Sequence, residues 1–119
     1  MGLLFVLEGL PGAGKSTFAS LLSKEIDFEY VSSDELREEF KQYATDNVII
    51  FNIMNKRTIE FLNKGSNVIY DATNLERKYR IELYRKVKKT NGNTKIVVVF
   101  IHRGMERAIS QNQERKNSD

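Results

Sequence analysis

A stretch near the start of the chain constrains the fold more than any other. Gly9-Leu10-Pro11-Gly12-Ala13-Gly14-Lys15-Ser16 follows an apolar run, Leu3 to Glu8, and opens a helical pattern from Lys15 to Glu25. In that pattern Phe18, Leu21, Leu22 and Ile26 fall on one side. A glycine-rich turn between a buried strand and a helix, spelled Gly-x4-Gly-Lys-Ser, has a mechanical meaning. The glycines let the backbone wrap so that its N–H groups point inward at phosphate oxygens. The helix N-terminus behind it adds partial positive charge. Pro11, the single proline, stiffens the turn. Lys15 is placed to reach the β- and γ-phosphates of ATP, the Ser16 hydroxyl to ligate Mg²⁺, and Thr17 follows in the first helical turn.

The remaining chain alternates strands and helices. Phe28 to Ser32 reads as a strand, Asp34 to Tyr43 as a short helix with Ser33 as N-cap, and Thr45 or Asp46 as the cap of a helix running to about Lys64. Gly65 reads as the positive-φ residue that ends it. Asn67 to Asp71 is a third strand, and Glu76 to about Thr90 a helix with Tyr79, Leu83 and Val87 on one face. Lys95 to Ile101 is β-branched and apolar almost throughout, as in a strand covered on both faces. Gly104 onwards reads as a last helix, wholly polar after Ile109. This alternation predicts right-handed βαβ units and a mainly parallel sheet of about four strands; joined to the phosphate-binding turn, it makes the expected fold a P-loop NTPase three-layer α/β/α sandwich.

In such a sheet ligands bind beyond the carboxyl ends of the strands. Ser32, Ser33 and Asp34 follow the second strand, and Arg37 lies one turn after Asp34 on the same helical face. Two readings stand. Asp34 takes a proton from an acceptor hydroxyl while Arg37 clamps an anionic group. Otherwise Ser33 or Asp34 caps the helix and Arg37 pairs with Glu35 or Glu38. The third strand ends in Asp71-Ala72-Thr73-Asn74. Asp71 either supports the metal ion of a nucleotide site or caps a turn, and Thr73 and Asn74 lie on the same rim, within reach of substrate.

Together, Gly-Leu-Pro-Gly-Ala-Gly-Lys-Ser-Thr17, Ser-Ser-Asp34-Glu-Leu-Arg37 and Asp71-Ala-Thr73-Asn74-Leu resemble the P-loop kinases that include 5′-hydroxyl polynucleotide kinases and zeta-toxin-like kinases, often labelled AAA-type. The resemblance spans nearly the whole chain. It implies an ATP- and Mg²⁺-dependent phosphotransferase with Asp34 as general base, Arg37 on a phosphate of RNA or DNA, and Asp71 supporting the site. It also implies a lid, Arg-Asn-x-x-Arg, matched here by Gln111-Asn112-Gln113-Glu114-Arg115. Arg115 would stabilise the transferring group, Gln111 removes one positive charge, and Lys116 or Arg107 stands near to compensate. The family continues past the lid with a further helix. The expected organisation is therefore one domain over 1–119, with 104–119 a partial lid and that helix absent, leaving a face for a second copy to cover.

Composition excludes other classes. The sequence has no cysteine, which rules out thiolate metal sites, and its one histidine argues against a histidine-based one. No apolar run reaches the length of a membrane span, and the apolar start lacks a basic leader, so the expected location is cytoplasmic, with no membrane partner. The net charge of +3 suits a polyanionic partner without requiring one. Arg77, Lys78, Arg80, Arg85, Lys86, Lys88 and Lys89 crowd one helix, either as a solvated face or as a nucleic-acid groove. The rival functions are a small-molecule kinase of the same fold, and an ATP-binding module without transfer activity.

Overall fold

The structure is a computed structural model that describes residues 2–9, 15–73, 75–90 and 92–101. Four strands, β1 (Leu3–Glu8), β2 (Glu29–Ser32), β3 (Val68–Asp71) and β4 (Lys95–Phe100), alternate with helices α1 (Lys15–Ser23), α2 (Ser33–Glu39), α3 (Asn47–Asn63) and α4 (Arg77–Thr90). All strand pairs are parallel, in the order β2-β3-β1-β4. This bears out the predicted α/β fold. The register sets the carboxyl ends level: Leu7 and Ser32 both pair with Asp71, and Glu8 pairs with Phe100.

The connection from β1 to β2 runs one way along the sheet, and those from β2 to β3 and β3 to β4 run back. Right-handed crossovers then require α1 on one face and α2, α3 and α4 on the other. Core packing matches. Leu4, Val6, Val31, Val68 and Tyr70 face Leu36 of α2, Phe51 and Met54 of α3, and Leu83 and Val87 of α4. The alternate residues Phe5, Leu7, Ile69, Tyr30 and Val99 face Phe18, Ala19 and Leu22 of α1. Phe51 and Tyr79 stack at 4.6 Å where α3 meets α4. Within that larger layer the Tyr70 hydroxyl donates to Asn55 Oδ1 at 2.8 Å, so neither buried side chain lacks a partner there.

Helix ends follow local chemistry. Asp46 caps α3 by accepting from the Ile49 N–H at 3.1 Å. At the other end Ser66 N–H donates to Phe61 O and Gly65 N–H to Leu62 O, both at 3.0 Å, with Gly65 at φ +85°. That is a Schellman closure, as the sequence predicts. Asn67 next to it secures the lower edge of the sheet: its Oδ1 accepts from Leu3 N–H and its Nδ2 donates to Asp27 O.

Two expectations are corrected. The helix read as Asp34 to Tyr43 ends at Glu39; Phe40 (φ −113°, ψ 64°) leaves helical geometry and Lys41–Tyr43 forms a separate 3₁₀ turn. Phe40 packs its ring against the core, under the Arg57 guanidinium, and tertiary packing outweighs local propensity there. Ser32, not Ser33, is the N-cap. The second correction concerns β4, read as covered on both faces. It is an outer strand of the described sheet, and Val97, Val98 and Phe100 are exposed, Phe100 at 64%.

The Gly65 turn yields a direct test. A Cβ at Gly65 would meet no atom within 4 Å, so only its positive φ resists substitution. Gly65→Ala is expected to lower unfolding free energy by about 1 kcal/mol in urea titrations, and Gly65→Asn to lower it less, because asparagine tolerates this conformation.

Candidate active site

The chain leaves β1 toward α1 on one face of the sheet and leaves β3 toward α4 on the other. β1 and β3 are neighbours, so the connections diverge and open a crevice at their carboxyl ends, the topological switch point of the sheet. Gly9 stands at its lip. Its φ is +151°, and a Cβ there would lie 2.2 Å from the carbonyl oxygen of Ile101. Ile101 N–H in turn donates to Glu8 O at 2.8 Å, so the end of β4 presses against the start of the glycine-rich turn. Conformation and space therefore both demand glycine at this position. Lys15, Ser16 and Thr17 form the first turn of α1, which begins at Lys15. Leu10 to Gly14 lie outside the described residues.

Asp71 ends β3, level with Leu7, with its side chain on the α1 face and only 8% exposed. The Tyr30 hydroxyl of β2 donates a hydrogen bond to Asp71 Oδ2. Burial, then the bond to Asp71, pushes the Tyr30 phenol well above its ordinary range. One strand further out, α2 starts with Ser33 and Asp34. Ser33 is fully buried and its Oγ accepts the Thr73 N–H at 3.0 Å. The Thr73 hydroxyl lies 3.3 and 3.4 Å from the two carboxylate oxygens of Asp34, which is exposed. Ser33, Asp34 and Thr73 thus form one polar bridge between α2 and the segment after β3. The β2–β3–β1 spacing puts this bridge roughly 10 Å across the rim from the glycine-rich turn, with Asp71 between.

Arg37 pairs with neither Glu35 nor Glu38, the partners weighed for it as a surface residue. Its Nη1 donates to Ala44 O and its Nη2 to Asn47 Oδ1 at 2.9 Å, tying α2 to the start of α3. Asn74 and the lid stretch with Arg107, Gln111, Arg115 and Lys116 lie outside the described residues.

Sequence reasoning missed three rim residues. Tyr30 grips Asp71 from 41 positions away, and Arg80 Nη1 reaches Glu8 Oε1 at 2.7 Å from 72 positions away. Only the strand order brings these partners together, so no local signal reveals them. Three other cations of α4 make ordinary surface contacts. Lys78 pairs with Glu76, Lys86 with Glu82, and Lys88 donates to Thr94 O. Such contacts favour the solvated-face reading of this helix.

A glycine-rich turn between β1 and α1 at the switch point of a parallel sheet defines a P-loop nucleotide-binding protein. The AAA domain family model, AAA_33, matches residues 4–119, and the chain belongs to this family of P-loop kinases. It is 29% identical over 119 residues to L-seryl-tRNA(Sec) kinase of Methanococcus maripaludis, covering 95% of this chain and 46% of that protein. It is 28% identical to cytidylate kinase of Sulfurisphaera tokodaii over 67% of this chain and 44% of that protein. Among solved structures it resembles a chain of the Pnkp1/Rnl/Hen1 RNA repair complex, with 25% identity and a TM-score of 0.62, over 99% of this chain and 39% of that chain. The chain therefore spans under half the length of these relatives. They support a phosphotransferase. Among the described residues no helix is long and apolar enough to cross a membrane.

The bridge at the rim predicts a structural cost. Ser33→Ala removes the acceptor of the Thr73 N–H from a buried position and should lower stability by about 1 kcal/mol. Thermal unfolding followed by circular dichroism would register this as a drop in Tm of several degrees.

Proposed function

We propose that this P-loop kinase moves the γ-phosphoryl group of ATP to a hydroxyl acceptor, and that the best acceptor is a 5′-hydroxyl end of RNA or DNA. One observation carries the hydroxyl reading: an exposed carboxylate, Asp34, stands on the rim across Asp71 from the glycine-rich turn, with Thr73 holding its side chain. A hydroxyl must lose a proton as it attacks, and a carboxylate in this place can accept it. A phosphate acceptor such as cytidylate is already anionic at neutral pH, and Asp34 would repel it.

The chemistry divides among the residues as follows. The backbone of the Gly9–Thr17 segment and Lys15 hold the triphosphate. Asp34 takes the acceptor proton while the acceptor oxygen bonds to the γ-phosphorus and the bond to the β-phosphate oxygen breaks, releasing ADP. Arg115 would add positive charge at the transferring group. Among the described residues no three His, Cys, Asp or Glu side chains converge as a self-sufficient metal cage. Mg²⁺ does not need one, because it takes one or two protein oxygens and completes its shell with phosphates and water. The oxygen donors Ser16 and Asp71 fit that demand, and Asp71 faces the helix that Lys15 and Ser16 open. Bound there, Mg²⁺ would neutralise charge on the β- and γ-phosphates.

The similarity to L-seryl-tRNA(Sec) kinase and to a Pnkp1 complex supports an acceptor hydroxyl carried on RNA. A second reading, a small-molecule hydroxyl, is favoured by Arg37. Its contacts with Ala44 and Asn47 serve the fold, and an acceptor without an adjacent phosphate would make no demand on it.

Transfer of label from γ-phosphate-labelled ATP to 5′-hydroxyl oligonucleotides tests this reading. Wild type should label the ends, and Asp34→Asn should slow transfer by roughly 10²–10⁴-fold while ATP raises the Tm of both proteins alike. Labelling of cytidylate instead, unaffected by Asp34→Asn, would overturn the hydroxyl reading.

A further inference from the structure

Tyr30 has no place in the transfer chemistry above, yet its hydroxyl donates to Asp71. Its ring is held in the layer under α1, with Phe5, Phe18 and Leu22 in the same cluster. Packing on that side fixes where the hydroxyl points. In the β2–β3 register Tyr30 pairs with Ile69 and Ser32 with Asp71, so the ring must lean two residues up the sheet, toward the rim, to reach the carboxylate. The target is 8% exposed, so water competes little for that oxygen.

A hydroxyl carried on a packed ring narrows the rotamers open to the carboxylate it donates to. We propose that Tyr30 is a positioning residue of the phosphoryl-transfer site: its hydroxyl fixes the Asp71 carboxylate at the switch point, and through it the divalent cation that accompanies the nucleotide. The inference rests on the reading of Asp71 as a metal-supporting residue. It assigns to β2 a function besides carrying the acceptor-side helix, since the strand that leads into Ser33 and Asp34 also orients the metal side of the site.

The test needs no acceptor, so it is independent of which hydroxyl the kinase uses. ATP affinity is measured by titration calorimetry with Mg²⁺ and again with EDTA, for wild type, Tyr30→Phe, Asp71→Asn and the double variant. Tyr30→Phe keeps the ring and its packing and removes only the donor. The gain in ATP affinity that Mg²⁺ gives wild type should shrink roughly tenfold in Tyr30→Phe, with affinity in EDTA unchanged. The double variant should be no worse than Asp71→Asn, because the two residues act as one unit. A lower Tm with the Mg²⁺ gain intact, or additive losses in the double variant, would make Tyr30 a structural residue only and overturn the proposal. A wild type whose ATP affinity ignores Mg²⁺ would overturn the metal reading of Asp71, and this inference with it, while leaving the Asp34 transfer assay untouched.

Discussion

β1 pairs with β3 on one side and β4 on the other, and the chain departs from β1 and β3 toward opposite faces of the sheet. The rest of the molecule follows from that divergence. It opens the crevice, sets Gly9 against the end of β4, and brings Asp71 beside the strand that feeds the glycine-rich turn. Once β3 lies between β1 and β2, the first turn of α2 must stand across the rim from that turn. The glycine-rich turn and the first turn of α2 are thereby placed by hydrogen-bonded strands, and catalysis by phosphoryl-transfer enzymes depends on such placement more than on any covalent step by the protein.

Charge is arranged with the same economy. Glu8 immediately precedes the turn that would receive a triphosphate, where a bare carboxylate would repel it. The Arg80 guanidinium meets Glu8 at 2.7 Å and offsets that charge, and the bond also ties α4 to the end of β1. Glu8 in turn holds Arg80 firmly protonated. Among the described residues Asp34 makes its contact with the neutral Thr73 hydroxyl and not with a cation.

Much of this was legible from residues close in sequence. The glycine-rich turn, the Asp46 cap, the Gly65 closure and the Tyr79–Leu83–Val87 stripe are all encoded within a few positions, and the structure carries each of them outside the undescribed centre of the turn. Contacts that depend on strand order were not legible. Tyr30 to Asp71 and Arg80 to Glu8 join segments whose adjacency no local pattern states. The apolar run of β4 misled for a related reason: composition reports that a strand is apolar, but its position at the side of the described sheet decides how much of it is covered. Arg37 shows the limit of spacing arguments. Its place one turn after Asp34 is real, but the 3₁₀ turn that follows Phe40 brings Ala44 and Asn47 to its guanidinium.

The central claim is that the β1–β3 switch point is where the nucleotide sits. Amide chemical shifts of the isotope-labelled protein, recorded while Mg²⁺ and ATP are added together, test it most directly. The account predicts that the largest changes fall on Gly9, on Lys15 to Thr17 and on Asp71 to Thr73, with Gly65 to Asn67 and Thr94 at the opposite edge of the sheet unmoved. Changes concentrated at that opposite edge, or around Arg57 and Glu60 on α3, with Gly9 and Asp71 unmoved, would contradict it.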